Sequence, residues 1–157
     1  AASSITPDIL QNAELRDEKV TERASILATI PKVRAALILQ QRAFAKNPPD
    51  NSIGAILDGR DIGTVICPDA PFKFFVDADI EVRAARRVKE LLERGVEAIY
   101  ARVLQDMRER DVRDSTRDIA PSIPAKDAFV IDTTKLNAEA AFTAALEFIR
   151  ERNKSKA

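Results

Sequence analysis

Two carboxylates and a guanidinium fall within four residues, Asp58 to Asp61, in the stretch Ala55-Ile-Leu-Asp-Gly-Arg-Asp-Ile-Gly-Thr-Val65. Directly behind a short apolar run, this is an unusual position for three charges. A strand end is a rigid mount, and Gly59 is expected to let the chain turn sharply enough for Asp58, Arg60 and Asp61 to point into a common space. The cargo expected there is polar, with phosphate suited to Arg60, whose planar fork can make two parallel hydrogen bonds to an anion. The same residues would also serve as a plain turn whose aspartates cap neighbouring backbone groups.

A second cluster, Arg110, Asp114 and Arg117, has i, i+4, i+7 spacing, which puts all three on one face if a helix persists that far. Two cations flanking one acceptor fit a sugar-phosphate, while an exposed ion-pair ladder is the plainer alternative. The cluster stands just before an irregular proline-containing segment, where a mobile closing element could end. Arginine outnumbers lysine 16 to 9, and nine of those arginines lie between Arg83 and Arg117, a bias that suits either planar anion recognition or a solvated helix face. Ser25 and Arg34, taken alone, read as ordinary surface or interhelical residues. The single Cys67 reads as a small apolar packer, since the chain has no histidine to activate it. Without histidine, acid-base work falls to carboxylates.

These residues need elements to hold them. A chain of 157 residues with 45% hydrophobic content can bury one real core. Net charge is zero, so neither a nucleic-acid polymer nor a polybasic membrane surface is an expected partner. No apolar run approaches membrane-spanning length and Ala1 to Ser4 lacks the signature of a signal peptide, so the expected compartment is the cytoplasm. From Arg16 to about Ala45, Val20, Ala24, Leu27, Val33 and Leu37 follow helical spacing, with Thr29 and Pro31 placed to stop one helix and start another. After the turn-rich segment 47–52, three short apolar runs each precede an aspartate: Ala55 to Leu57, Phe72 to Val76 and Ala128 to Ile131. They predict strands of a covered parallel sheet. Between them the spacing predicts a helix capped by Asp79 and ended by Gly95, with Ile80, Ala84, Val88, Leu91 and Leu92 on its apolar stripe and Arg83, Arg86 and Arg87 largely off it. A second helix follows through Ile99, Val103 and Met107, and a last one runs from Ala138 to about Arg152. The fold class is α/β.

Read in order, Pro31-Lys-Val-Arg34, Gln40-Gln-Arg-Ala-Phe44, Asp58-Gly-Arg-Asp-Ile-Gly-Thr64 with Pro68-Asp-Ala-Pro71, and Glu109-Arg-Asp-Val-Arg-Asp114 through Arg117 closely resemble bacterial cytidylate kinase from about Thr6 to the C-terminus. The resemblance implies transfer of the terminal phosphoryl group of ATP, with Mg2+, to CMP or dCMP on a P-loop nucleoside monophosphate kinase fold. It implies a helical acceptor-binding region over 5–46, remaining core over 53–152 with lid helices at about 79–120, and a frayed tail at 153–157. By resemblance, Ser25, Arg34 and Asp61 contact cytosine, Arg110 and Asp114 lie on the ribose side, and Arg60 and Arg117 bind the acceptor phosphate. By the same resemblance Asp58 lies beside the reacting groups in a catalytic or magnesium-linked role, Arg83, Arg86 and Arg87 belong to the lid, and no residue is assigned as a direct metal ligand. Phosphoryl transfer needs positioning and charge neutralisation more than an imidazole base, so the missing histidine is no obstacle.

One departure from the family pattern is large. The family begins with a strand, a Gly-rich Walker A loop and its helix, whereas Gly54, Gly59, Gly63 and Gly95 cannot supply G-x-x-x-x-G-K-[ST]. The expectation is an acceptor site, lid and remaining core that do not catalyse alone, being a truncated product or part of something longer. A sheet lacking a central strand is also expected to expose an apolar edge open to self-association. A non-catalytic nucleotide-binding or interaction module is the competing expectation, and a kinase for another small phosphorylated acceptor is a third.

Overall fold

The computed structural model describes residues 11–16, 18–28, 30–49, 52–116 and 120–154. The chain divides into two compact units, residues 1–58 and 59–157. In the first unit a 3₁₀ turn, Ala13–Arg16, leads into helix α1, Glu18–Leu27, and helix α2, Pro31–Lys46. Pro31 opens α2 because a first-turn N–H has no intrahelical acceptor to lose and the ring already holds a helical φ. The apolar stripe is present but not buried: Val33 and Leu37 are exposed, and α2 has no buried residue. Thr29 lies outside the described residues.

The second unit opens with a single π-helical turn, Ile62–Ile66, followed by strand β1, Phe74–Asp77. Helices α3, Ile80–Glu93, and α4, Tyr100–Thr116, then carry the chain to strand β2, Phe129–Asp132, and helix α5, Ala138–Lys154. The two strands are parallel, in register Phe74↔Phe129 through Asp77↔Asp132, as a helical crossover requires. Beyond the register, Phe129 N–H donates to Lys73 O at 2.8 Å and Thr133 N–H to Asp77 O at 2.7 Å. Helix α5 is fastened over the sheet by Phe148, which stacks on Phe129 at 4.4 Å between centroids and meets Phe74 edge-on at 5.6 Å. Such pairs add about 0.5–1.5 kcal/mol beyond area burial. Ala84 and Leu91, two turns apart, are the buried residues of α3. Its end is a Schellman cap: Gly95 at φ +73° donates to Leu92 O at 3.0 Å and Val96 to Leu91 O at 2.9 Å. Among the described residues, no helix is long and apolar enough to cross a membrane.

Three local expectations are corrected. Ala55–Leu57 forms no strand, and Ile56 is exposed, because apolar composition supplies side chains but not the hydrogen-bonding neighbour that makes a strand. Asp79 holds the N-cap position of α3, but its side chain makes no capping bond, and its N–H donates instead to Thr134 Oγ1 at 2.9 Å. Leu92 is exposed rather than part of the buried stripe. The bend expected at Gly59 is present over residues 59–61 without a positive φ, and the glycine also provides space, since a Cβ there would stand 3.1 Å from Ile62 Cγ1 and Cδ1.

Candidate functional site

The π-turn is the mount for the Arg60–Asp61 pair. Val65 N–H and Ile66 N–H both donate to Asp61 O, at 2.9 and 3.2 Å, and Cys67 N–H closes on Ile62 O at 2.7 Å. The wide turn leaves Asp61 buried at 8% exposure, while Arg60, one residue earlier, extends a side chain that is 56% exposed. Single π-turns are frequent at functional sites because the extra residue re-aims the neighbouring side chains. Lys73 supports this turn from below. Its stem lies 3.3 Å from where a Cβ of Gly63 would stand, and its ammonium donates to both carboxylate oxygens of Asp127 at 2.8 Å.

Arg60 reaches Asp114, a buried carboxylate on the last turn of α4, with Nε 3.5 Å from Oδ2. Arg110, one helical turn earlier, brings its Nε to 3.8 Å from the same oxygen. Two guanidiniums therefore converge on one carboxylate, and the Arg110 Nε is buried without a hydrogen-bond partner. A buried, unsatisfied donor costs about 1–3 kcal/mol. Two cations around one anion leave an excess positive charge, and the exposed portions of both arginines put that charge within reach of an incoming anion. Arg117 lies outside the described residues, so of the spaced triplet the structure brings together Arg110 and Asp114.

The first unit holds the other expected residues. Ser25 lies on α1 and Arg34, half-buried, on α2. Asp58 is exposed and lines a shallow cavity of ≈ 250 Å³ with Gln40, Gln41, Phe44 and Leu57.

The three arginines of α3 are all engaged. Arg83 grips Asp111 of α4 with both terminal nitrogens, at 3.1 and 2.6 Å, and gives its Nε–H to Ala78 O at 2.8 Å. The hydrogen bonds to Asp111 raise its pKa above the ordinary arginine value, against the opposing effect of partial burial. Arg86 donates to Thr133 Oγ1, Thr133 O and Leu136 O at 3.0, 2.6 and 3.1 Å, tying α3 to the turn after β2. Arg87 pairs with Glu90 on its own helix at 2.9 Å. Asp111 has no role that its sequence alone indicates; its place beside Arg110 is the signal, and only the packing of α3 on α4 supplies its partner. Among the described residues, no three His, Cys, Asp or Glu side chains stand close enough to hold a metal ion.

Comparison with known proteins bears on this geometry. A family model described as cytidylate kinase matches residues 4–151. Proteins named cytidylate kinase from Paramagnetospirillum magneticum and Methylocella silvestris are 55% and 54% identical over 149 and 155 residues, which is 95% and 99% of this chain and 70% of each relative. One from Rhodospirillum rubrum is 48% identical over 153 residues, covering 98% of this chain and 72% of the relative.

Proposed function

Because this chain belongs to the cytidylate kinase family, we propose that it carries the acceptor side of a reaction that moves the terminal phosphoryl group of ATP to CMP or dCMP. The observation that supports this best is the convergence of Arg60 and Arg110 on Asp114, with a buried Nε–H left unused. An acceptor phosphate satisfies the excess charge, and Arg60 is free enough to close on it. Arg117 is the second phosphate ligand in this reading. Arg110 and Asp114 take the ribose side, where a guanidinium donates and a carboxylate accepts from hydroxyls. Ser25, Arg34 and Asp61 read the base. A guanidinium matches the carbonyl and ring nitrogen of cytosine and a carboxylate accepts from its exocyclic amine, whereas uracil presents a carbonyl at that position.

In the reaction, an oxygen of the acceptor phosphate attacks the terminal phosphorus of ATP, the bond to the bridging oxygen breaks, and ADP leaves with CDP or dCDP. The chain's residues orient the acceptor oxygen and neutralise its charge. Asp58 is the carboxylate set beside the reacting groups. Magnesium bound to ATP would supply neutralisation of phosphate charge, with Asp58 the residue that would face it. A single exposed carboxylate fits that arrangement, since Mg2+ commonly uses one or two carboxylates plus substrate phosphates.

Residues 5–46 form the acceptor-binding region of this reading, and α3 and α4 the lid helices at about 79–120 within a core of 53–152. Arg83, Arg86 and Arg87 belong to that lid. The sequence 1–157 holds no G-x-x-x-x-G-K-[ST], so turnover by this stretch alone is not expected. The compartment is the cytoplasm, where ATP and nucleoside monophosphates meet. Self-association through an exposed sheet edge belongs to the same proposal, and a monomer by sedimentation at high concentration would remove it.

A calorimetric titration of this chain with CMP, with UMP as control, tests the function. Selective CMP binding is the expected result; equal binding of CMP and UMP rejects it.

A further inference from the structure

Helix α4 presents two different surfaces on adjoining residues. Arg110 and Asp114, four residues apart, face Arg60. Asp111 is offset from Arg110 by about 100° around the helix axis and faces α3, where Arg83 takes both of its oxygens. Arg83 is itself held at the exit of β1, because its Nε–H donates to Ala78 O at 2.8 Å and Ala78 is buried. The carboxylate of Asp111 is thus tied, through one planar guanidinium, to the backbone leaving the sheet. A second cross-link, Arg108 to Glu81 at 3.1 Å, has both side chains more than half exposed and constrains the helices less.

We infer that Asp111 is a positioning residue: by docking on Arg83 it sets the rotation of α4 about its own axis, and so the direction in which Arg110 and Asp114 meet Arg60. The physical reason is the shape of the contact. A bidentate guanidinium–carboxylate pair is coplanar and directional, so it resists rotation of either partner where a single-point ion pair does not. Arg60 and Arg110 stand at 3.5 and 3.8 Å from Asp114, distances too long for strong hydrogen bonds, so that cluster cannot by itself fix where the helix points. The acceptor-site consequence rests on the function proposed above; the geometric role of Asp111 does not.

The test follows the Nε–Hε signals of Arg60 and Arg110 by nitrogen-15 NMR in the ligand-free chain, beside calorimetric titration with CMP. Asp111→Asn keeps the side-chain shape and removes the charge. It is expected to shift or broaden both arginine signals and to weaken CMP binding by about tenfold. Glu81→Gln, which breaks only the exposed cross-link, is expected to leave the signals in place. Arg83→Lys keeps the charge but replaces the planar two-point contact by a single ammonium and loses the bond to Ala78 O, so it is expected to displace the same arginine signals. Arginine signals unmoved by Asp111→Asn, or moved equally by Glu81→Gln, overturn the inference. If Asp111→Asn does not fold, Arg83→Lys decides: displaced signals support the positioning role and parental signals reject it. If the parent chain fails to bind CMP, the acceptor-site function falls while the guanidinium signals still decide the role of Asp111.

Discussion

Arg60 and Asp114, 54 positions apart in sequence, meet with Nε 3.5 Å from Oδ2, and Asp114, which Arg110 also approaches, is 9% exposed. The pair joins a residue that precedes the π-turn to the last turn of α4. It leaves Arg60 with most of its side chain in solvent and its guanidinium short of a tight bond. An anion that supplies better oxygens has little to displace.

Arg60→Ala should therefore weaken CMP binding far more than cytidine binding. Hydrogen bonds to a charged group contribute about 1.5–3 kcal/mol, a loss of roughly tenfold to a hundredfold in affinity. Titration calorimetry with both ligands measures the difference. Equal losses for CMP and cytidine would show that Arg60 does not address the phosphate.

Base selectivity should reside in Arg34 and Asp61. Arg34→Ala or Asp61→Ala is expected to bring the CMP and UMP dissociation constants together, because each removes one half of the pattern that distinguishes an amine from a carbonyl. Asp61 is buried at the head of the π-turn, so circular dichroism should accompany that variant. A folded variant that still prefers CMP would clear the residue of the role.

Arg86→Ala should cost stability. Its three bonds to Thr133 and Leu136 join α3 to the turn after β2, and their loss is expected to lower the unfolding free energy by about 1–2 kcal/mol, with Arg86→Lys recovering part of it. Urea unfolding reads the change. An unchanged midpoint and slope would mean that solvent replaces all three bonds.

Acid should act through Asp127 and Asp132. The hydrogen bond from the Lys73 ammonium holds Asp127 below the ordinary 3.8, and bonds from the Thr134 side chain and backbone do the same for Asp132. A carboxylate whose folded pKa is depressed stabilises the fold above its unfolded value, and that contribution is lost as pH falls through the folded one. Stability should be flat around neutrality and fall below about pH 3.8, less steeply in Asp127→Asn. Thermal melts between roughly pH 2 and 6 would reveal it; superimposable profiles for parent and variant would exclude Asp127.

Much of the helical framework was legible because each boundary carries a local physical signal. Pro31 fixes a helical φ at the first turn of α2, Gly95 accepts the left-handed conformation that ends α3, and the spacing through Ile99, Val103 and Met107 marks α4. The apolar run Ala55–Leu57 predicts a strand that does not form, since pairing is a relation between distant segments. Asp79 occupies the capping position, but its side chain makes no bond to the helix, while its own N–H is held by Thr134 just beyond β2.

The candidate site divides along the same line. Sequence alone determined the inventory, an Asp-Gly-Arg-Asp run and an Arg-Asp pair at i, i+4, because side-chain chemistry and helical periodicity are local properties. Tertiary structure decided the partners. It closed a π-turn that buries Asp61, turned Arg60 and Arg110 onto one carboxylate, and gave Asp111 and Arg83 to each other across two packed helices. Coulombic and hydrogen-bonding energies depend on separations of a few ångströms, and for residues far apart in sequence those separations are set by packing.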